Sequence, residues 1–285
     1  MEGKKNKRRE EIEKIAYEIR LRILKTGCTG RSGHIATSLS ATDILTELYF
    51  GDILSYRPDN PSWSERDRFV LSKGHASLLL YNILGLAGYF DISLLKDYCQ
   101  PGTKFGSHPT IEIPGVEAST GALGHGYPYS VGVAMAARMN SEKHLVYCML
   151  GDGECQEGSV WEAANAVIKY NLTNLVTIVD CNKLQATGFT KDIIGKSELS
   201  EKFQAWGFDA IEIDGHNFDE IRNALLLDKD NLPKKPRAVI ANTVKGKGIP
   251  MLENNPLWHS KVPNNEELEK ILLEIGVTRE EYEKL

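Results

Sequence analysis

The sequence predicts a single α/β domain over residues 1–285, built on a doubly wound parallel sheet with helices on both faces. Two observations lead to this fold class. Short apolar runs recur without internal polar–apolar alternation, which is typical of strands that are buried on both sides. Segments with helical spacing of apolar residues separate these runs, as in a sheet of parallel strands. The content of 41% hydrophobic and 26% charged residues fits an ordinary globular protein.

The first half of the chain is predicted to be mainly helical. Apolar residues at helical spacing indicate a helix over 9–26, which Gly27 is expected to end. Residues 1–10 are expected to form a basic, frayed leader to that helix. The further elements predicted in this half are a helix at 41–50, a strand at 68–72, helices near 75–88 and 91–98, loops over 101–126 and a helix at 127–140.

The second half carries most of the predicted strands. Apolar runs at 145–150 and 175–179 are predicted strands, and a helix at 160–170 joins them. The later predicted elements are strands at 210–214 and 238–243 and helices at 197–206 and 217–227. A loop is expected after residue 250. Residues 264–285 are expected to form a charged C-terminal helix, which with the leader would be an appendage to the domain.

Composition argues against several classes of protein. The net charge of −5 disfavours a nucleic-acid partner, and no apolar run is long enough to span a membrane. The basic N-terminus lacks the apolar core of a secretory signal. The five cysteines are scattered and form no Cys-x-x-Cys pair, which disfavours a zinc site and favours a reducing, cytoplasmic location.

Oxygen-bearing side chains follow two consecutive predicted strands. Asp152 follows the strand at 145–150, and Asn182 follows the strand at 175–179. Because the carboxyl ends of parallel strands share one edge of a sheet, we expect these side chains to lie close together. A carboxylate and an amide oxygen suit Mg²⁺ or Ca²⁺. Gly153 would let the backbone approach a phosphate. Gly-Asp-Gly alone is also a common turn, so the predicted Mg²⁺–diphosphate site depends on the second oxygen thirty residues later.

Together these and other segments resemble the transketolase family of thiamine-diphosphate enzymes. The matching segments are SGHIATSLSATDILTELYF (32–50), DRFVLSKGHAS (67–77), GVEASTGALGHG (115–126), GDGECQEGSVWEA (151–163), VDCN (179–182) and TVKGKG with WH (243–259). The resemblance implies the thiamine-diphosphate-binding fold. It also implies that Asp152, Asn182 and the backbone carbonyl of Leu184 hold Mg²⁺, with Gly153 and Asn182 on the cofactor.

The same resemblance assigns roles to four histidines. It implies that His34 and His259 polarise substrate oxygens, that His108 holds a hydroxyl of the donor sugar, and that His75 and His259 contact the cofactor. Histidine suits this chemistry because its proton can move near neutral pH. The remaining histidines, at 125, 144 and 216, are interpreted as structural or solvent-facing.

Three further segments are assigned by resemblance, each with a simpler alternative. The loop Gly121, Ala122 and Leu123 is expected to pack against the cofactor, or to be a plain turn. Glu157 and Glu162 are expected in an acid network near a subunit interface, Glu157 also serving the cofactor, although acids at a helix start are favourable in any case. Residues 245–248 are expected to form a mobile loop closing on the site, or a solvated lysine turn.

The resemblance also implies a missing half. Thiamine-diphosphate enzymes need a glutamate from a second domain to activate the aminopyrimidine ring, and no second strand–helix series follows residue 250. We therefore expect the N-terminal subunit of a split transketolase, active only with a C-terminal subunit that supplies this glutamate, in an α₂β₂ assembly. Substrates would be sugars or sugar phosphates. Ala36 and Thr37 replace the glycines usual in the family, which favours a specialised ketose donor or aldose acceptor.

Three other functions compete with this interpretation. An α-subunit of a thiamine-dependent 2-oxoacid dehydrogenase or decarboxylase would share the metal site but not the SGH, SKGHAS and KGKG segments together. A non-catalytic cofactor-binding subunit is favoured only by Ala36 and Thr37. A Mg²⁺-dependent nucleotide hydrolase would need a glycine-rich loop ending in Lys-Ser or Lys-Thr, and the sequence has none.

Overall fold

Five parallel strands form one sheet, and this confirms the predicted α/β class. The computed structural model describes residues 2–285, with side chains from residue 7 onward. The strands are β1 (Arg68–Leu71), β2 (Val146–Gly151), β3 (Leu175–Cys181), β4 (Asp209–Asp214) and β5 (Arg237–Asn242). They lie in the order β1-β2-β3-β5-β4. β2 and β3 are therefore neighbours, with Gly151 beside Asp180 at their carboxyl ends.

Helices cover the sheet on both faces. The α-helices of the described chain are α1 (Glu2–Gly30), α2 (Ile35–Ser40), α3 (Thr42–Phe50), α4 (Ser77–Leu86), α5 (Gly126–Met139), α6 (Gly158–Lys169), α7 (Thr190–Ile194), α8 (Leu199–Trp206), α9 (Phe218–Leu225), α10 (Asn265–Glu274) and α11 (Arg279–Glu283). Short 3₁₀ helices occur at Gly74–Ala76, Ile92–Asp97, Glu154–Gln156 and Pro256–Trp258. None of the helices described is both long and apolar enough to cross a membrane.

Alternate residues of each central strand belong to two different hydrophobic cores. In β3, Val176 and Ile178 face the core that is shared with α1, α3 and α4. Leu175 and Val179 of the same strand face the core that is shared with α5, α6 and α8. Every position of β3 is buried. This double burial explains why the strand reads as a continuous apolar run.

The N-terminal elements differ from the sequence prediction. Residues 2–10 continue α1 instead of forming a separate leader, whereas Met1 lies outside the described residues. Gly27 does not end the helix, which continues to Gly30, because a glycine inside a helix costs only about 1 kcal/mol and Ile35 packs directly against it. The helix predicted at 41–50 is preceded by a second short helix, α2, which was not predicted.

The C-terminal region also differs from the prediction. Two helices, α10 and α11, replace the single charged helix expected over 264–285, and Gly276 between them has a φ of 69°. Asn264 and Thr278 each cap one of these helices with a reciprocal Glu–backbone capping box. Leu268, Ile271 and Leu272 of α10 are buried in the core that includes α1, so α10 packs into the body of the domain.

Long loops occupy the region before α5, as predicted, and they are anchored to the sheet. Thr120 Oγ1 donates a hydrogen bond of 2.7 Å to the carbonyl of Leu71 at the end of β1. Glu117 forms a two-pronged ion pair with Arg66, just before β1. The loop is therefore anchored at both ends of β1, by Glu117 before the strand and by Thr120 at its carboxyl end.

Gly30 provides a test of the packing between α1 and the loop that follows the 3₁₀ helix at 92–97. A Cβ at this position would lie 2.6 Å from the Tyr98 carbonyl oxygen, a backbone atom that has little freedom to move. We expect Gly30→Ala to lower the free energy of unfolding by about 1–3 kcal/mol. Gly132→Ala is the matched control, because Gly132 lies in α5 with nothing within 4 Å of its Cβ position. The control should be neutral or stabilising by up to ~1 kcal/mol. Urea unfolding of both variants measures the difference, and equal midpoints would contradict the packing described.

Candidate active site

A cavity of about 330 Å³ opens at the carboxyl ends of the central strands. Predicted site residues that line it are His34, His75, Gly121, Leu123, Asp152, Gly153, Asn182, Leu184 and His259. Lys73, Glu154 and Gln185 also line it and were not assigned a role from sequence. Thr37, expected to affect the choice of sugar, and Lys245, from the 245–248 loop, line it as well. The sequence interpretation therefore located the cavity, but it identified only part of its charged lining.

Asp152 and Asn182 lie just after β2 and β3, and their oxygens accept hydrogen bonds from the segment that follows β3. Asp152 Oδ2 accepts from the backbone N–H of Lys183 at 3.0 Å and from Thr190 Oγ1 at 3.1 Å. Asn182 Oδ1 accepts from the backbone N–H of Leu184 at 3.1 Å. Burial, and after it the negative charge of Asp180, raise the pKa of Asp152 above its ordinary value. A cation beside Asp152 would offset both effects.

This set of oxygens fits Mg²⁺ or Ca²⁺. A carboxylate, an amide oxygen and a backbone carbonyl are the hard ligands that these ions prefer. The third predicted ligand, the carbonyl of Leu184, accepts a hydrogen bond from Lys245 Nζ at 3.0 Å. The carbonyl oxygen therefore already binds an ammonium group. A metal ion would take the place of Lys245 at this oxygen or bind beside it.

A buried ion pair between Lys73 and Asp180 lies beside these oxygens. The side chains of Lys73 and Asp180 are 1% and 0% exposed, and they are in direct contact. Asp180 also accepts hydrogen bonds from Ser40, Thr243 and Asn182. Burial alone would raise the pKa of Asp180, but the charge of Lys73 and these donors hold it below its ordinary value. Asp180 is therefore ionised and fully bonded, and it joins the ends of β1, β3 and β5 to α2.

The Lys73–Asp180 pair has a signal in the sequence, although it was not predicted. Asp180 directly follows the apolar run at 175–179, and Lys73 follows the strand at 68–72. A carboxylate at the end of a buried strand needs a partner of opposite charge. The lysine at the end of another strand in the same sheet was the available candidate.

Lys245 is a second buried cation on the cavity wall. It is 1% exposed, and its Nζ lies 2.8 Å from Nδ1 of His259. The alternative of a solvated lysine turn is therefore wrong for this residue. Burial, and after it the charge of Lys73, lower the pKa of Lys245 to about 8. Two buried ammonium groups, one of them without a carboxylate in contact among the described residues, favour an anionic ligand in the cavity.

Four histidine rings cluster at one side of the cavity. The ring centroid of His34 lies 5.3 Å from those of His75 and His259, and 6.3 Å from that of His108. Burial, followed by nearby positive charges, lowers the pKa of His34 and of His259 to about 4, and it also lowers the pKa of His75. These three imidazoles are neutral at neutral pH.

Neutral imidazoles in this position can act on a ligand's hydroxyl groups. Because Lys245 donates to Nδ1 of His259, the proton of that ring resides on Nε2. Nδ1 of His34 is buried without a hydrogen-bond partner among the described residues. His259 therefore offers a ring N–H to a bound hydroxyl, whereas Nδ1 of His34 is enclosed by the protein.

The remaining predicted residues lie at the rim of the cavity or outside it. His108 is half-buried, and its ring packs against Gly121, where a Cβ would lie 3.0 Å from His108 Cδ2. Ala122 is exposed beside Leu123. Glu157 precedes α6 and Glu162 lies on it, and both are exposed and outside the cavity lining.

Glu154 holds the loop that carries Gly121 and Leu123. It is 2% exposed and accepts hydrogen bonds from Ser72 Oγ at 2.6 Å and from the backbone N–H of Gly124 at 2.9 Å. It also accepts from the N–H of Gly151 at 3.1 Å. Burial raises the pKa of this carboxyl group, and these donors counter the effect. Glu154 was not predicted. In the segment Gly-Asp-Gly-Glu, the carboxylate of Asp152 was assigned to the metal site, and the second carboxylate was assigned no separate role.

The chain resembles known proteins over almost its whole length. Residues 12–283 match the family described as transketolase, thiamine diphosphate binding domain. An apulose-4-phosphate transketolase subunit from Phocaeicola vulgatus is 39% identical over 276 residues, which are 96% of this chain and 97% of that protein. A 6-deoxy-6-sulfo-D-fructose transketolase subunit from a Clostridium species is 41% identical over 229 residues, which are 80% of this chain and 82% of that protein.

Solved transketolase structures share the fold of this chain. The transketolase from Campylobacter jejuni matches with a TM-score of 0.86 and 35% identity, over 93% of this chain and 43% of that one. The transketolase from Leishmania mexicana matches with a TM-score of 0.86 and 30% identity, over 95% of this chain and 42% of that one. This chain therefore spans less than half of the length of those solved proteins.

The lowered pKa of Lys245 predicts a specific dependence of stability on pH. Its folded-state pKa of about 8 lies below the ordinary value of 10.5, so between these values the unfolded chain binds more protons than the folded one. This residue therefore makes the folded state more stable as the pH rises from about 8 to 10.5. We expect the difference in unfolding free energy between the wild type and Lys245→Met to move in favour of the wild type over that interval. Urea unfolding at pH 7 and pH 10 measures it. A difference that does not change with pH would contradict the buried, charged state of Lys245.

Proposed function

This chain belongs to the transketolase family, and from that membership we propose that it is the diphosphate-binding subunit of a split transketolase. The observation that carries the proposal is the meeting of Asp152 and Asn182 at the ends of β2 and β3, beside two buried lysines and three neutral histidines. The enzyme would transfer a two-carbon ketol unit from a ketose or ketose phosphate to an aldose.

The residues at the strand ends fit a metal ion and a diphosphate. Asp152, Asn182 and the carbonyl of Leu184 would hold Mg²⁺, with Ca²⁺ as a chemically similar substitute. Lys73 and Lys245 bring two positive charges to the same cavity. Gly153 presents backbone without a side chain at the end of β2. The chemistry that thiamine diphosphate supplies when bound is a nucleophilic carbon that can accept and pass on a two-carbon unit.

The histidines would manage protons on the sugar. His259 can donate its Nε2 proton to a substrate oxygen that gains negative charge, and Lys245 orients the ring through Nδ1. His34, a neutral imidazole on the cavity wall, would contact a hydroxyl of the sugar. His108, at the rim, would bind a hydroxyl of the donor. His75, together with the loop Gly121, Ala122 and Leu123, would contact the cofactor.

A partner chain is part of the proposal. Large apolar side chains are exposed close in sequence to the residues of the site, including Ile111 (66%), Ile193 (43%) and Leu257 (79%). Large exposed apolar side chains favour a second protein that covers them. The relatives named as transketolase subunits have nearly the length of this chain. We propose that a C-terminal subunit supplies the glutamate that activates the pyrimidine ring, in an α₂β₂ assembly with Glu157 and Glu162 near the interface.

The pocket favours a specialised sugar. Thr37, which replaces a glycine usual in the family, lies on the cavity wall with its Oγ1 3.3 Å from Nε2 of His75. This side chain narrows the cavity next to a histidine of the site. The names of the relatives specify different sugars, apulose 4-phosphate and 6-deoxy-6-sulfo-D-fructose, which supports a donor or acceptor outside common pentose metabolism. A cytoplasmic location is also proposed, since all five cysteines are unpaired.

The metal site is tested by variants of its two side-chain ligands in the reconstituted complex. We expect Asp152→Ala and Asn182→Ala to raise the Mg²⁺ concentration needed for half-maximal binding of thiamine diphosphate on the order of a hundredfold. Asp230→Ala is a control for loss of one acidic group, because Asp230 is exposed and pairs only with Lys143 among the contacts described for it. Titration calorimetry measures the binding of thiamine diphosphate at each Mg²⁺ concentration, and transfer assays measure the Mg²⁺ dependence of activity. Unchanged Mg²⁺ dependence in the Asp152 and Asn182 variants would overturn the assignment.

The split-subunit hypothesis is tested by separating the chain from its partner. The purified chain should bind thiamine diphosphate and Mg²⁺ weakly and should transfer no two-carbon unit from a panel of ketoses. Addition of the C-terminal subunit should restore both tight binding and transfer. Ketol transfer by this chain alone would contradict the proposal. Activity of the complex on 2-oxoacids in place of ketoses would favour a dehydrogenase-type enzyme.

A further inference from the structure

The loop after β5 is held from the side opposite to the cavity. We call residues 243–248 the lysine loop, because Lys245 reaches from it into the cavity. A separate groove of about 820 Å³ is lined by Arg20, Asp43, His216 and Lys247, none of which lines the cavity. The lysine loop thus lies between the two, and contacts in the groove contribute to how it is held.

His216 makes the central contact. Its Nδ1 lies 2.8 Å from Oδ2 of Asp43, and its Nε2 accepts the backbone N–H of Val244 at 2.8 Å. Because a backbone N–H can only donate, Nε2 is unprotonated and Nδ1 carries the proton that Asp43 accepts. The imidazole is thereby fixed in one tautomer and joins α3 to the start of the lysine loop.

Arg20 makes a second contact at the other end of the loop. Its guanidinium group donates to Oδ2 of Asp43 at 2.6 Å, and its Nε donates to the carbonyl of Lys247 at 3.1 Å. Asp43 is 4% exposed, so its charge depends on these partners. Burial alone would raise the pKa of Asp43, but His216 and Arg20 hold it below its ordinary value.

His216 is itself held firmly. The N–H of Gly215 donates to the carbonyl of Asn242 at 2.8 Å, next to the loop. The N–H of His216 donates to Oδ1 of Asp214 at 2.8 Å. Asn217 caps the N-terminus of α9 by accepting from the N–H groups of Asp219 and Glu220. His216 is therefore a rigid support and not a freely rotating surface side chain.

The two contacts bracket Lys245. Val244 is held by His216 and Lys247 by Arg20, one residue before Lys245 and two residues after it. Between them, the N–H of Gly246 donates to the carbonyl of Ala36 at 2.9 Å. Gly246 has a φ of 85°, and a Cβ there would lie 2.4 Å from the carbonyl oxygen of Leu252. The loop can follow this path only with glycine at this position.

We propose that His216, with Asp43 and Arg20, is a positioning residue that sets the place of Lys245 in the cavity. The inference rests on the proposed function only in that Lys245 faces the anionic cofactor. His216 does not line the cavity, so its effect must pass through the N–H of Val244. The essential feature is a hydrogen-bond acceptor at the location of Nε2.

Two substitutions separate the two bonds of His216. His216→Gln can place a carbonyl oxygen near the location of Nε2 and keep the acceptor for Val244. His216→Asn can place an amide near the location of Nδ1 and keep the bond to Asp43, but it loses the acceptor. His144→Gln is the matched control, since His144 is a buried histidine that lies two residues before β2, at the amino end of the strands and away from the lysine loop.

The first experiment measures hydrogen exchange of residues 243–248 by mass spectrometry in the full chain without cofactor. We expect exchange about tenfold faster in His216→Asn, and exchange near the wild-type rate in His216→Gln and His144→Gln. Arg20→Lys keeps a cation beside Asp43 but loses the guanidinium bond to Lys247, so it should also speed exchange and serves if His216→Asn fails to fold. Equal exchange in His216→Asn and His216→Gln, or no effect of Arg20→Lys, would overturn the proposal.

The second experiment measures KM for thiamine diphosphate and kcat in the complex with Mg²⁺. We expect His216→Asn to raise KM about tenfold while kcat at saturating cofactor stays within about twofold, and His216→Gln to restore KM. A purely structural role would lower kcat through loss of active protein and leave KM unchanged, which would overturn the proposal. If the wild-type complex does not bind thiamine diphosphate, the proposed function fails, and the exchange experiment still decides the role of His216.

Discussion

The ion pair between Lys73 and Asp180 is the interaction on which the rest of the site depends. Both side chains are almost fully buried, and charges removed from water are tolerated only when they are paired and hydrogen-bonded. Removal of one partner from such a pair typically costs about 3–5 kcal/mol. Because Asp180 also binds Ser40 and Thr243, the pair fixes α2 and the lysine loop against the strand ends. His34 precedes α2 and Lys245 follows Thr243, so the pair places both walls of the cavity.

The Lys73–Asp180 pair also affects the other charged groups of the site, Lys245 and Asp152. Asp180 already accepts from four donors, and in the described part of the chain the second buried cation, Lys245, contacts carbonyl oxygens and His259 but no carboxylate. Asp152 lies near Asp180, and the repulsion adds to the effect of burial on its pKa. The site therefore holds an anion that favours a metal ion and a cation that favours a phosphate. A metal–diphosphate ligand satisfies both demands at once, which neither ion alone would do.

Sequence patterns predicted the sheet better than the contacts within the site. Apolar runs identified all five strands, because burial in a sheet leaves a strong signal. Asp152 and Asn182 were found because strand ends are readable from such runs. Lys73, Glu154 and Lys245 act mainly through partners distant in sequence, and the places of Lys73 and Asp180 at two strand ends, 107 residues apart, gave only a weak signal of their pairing. His216 was interpreted as structural or solvent-facing for the same reason, since Asp43 and Val244 meet it only in the fold.

The double burial of the central strands limits where this protein can diverge. Every residue of β2 and β3 is buried, so a substitution there disturbs packing before it can alter the pocket. Residues of the cavity wall outside the strands do not carry the packing of the sheet itself. New sugar preferences should therefore arise by exchange of wall residues such as Thr37 in α2 and Gln185 after β3, on an almost unchanged sheet. Divergence of this fold is therefore expected at residues that line the cavity, while the buried strands of the sheet stay the same.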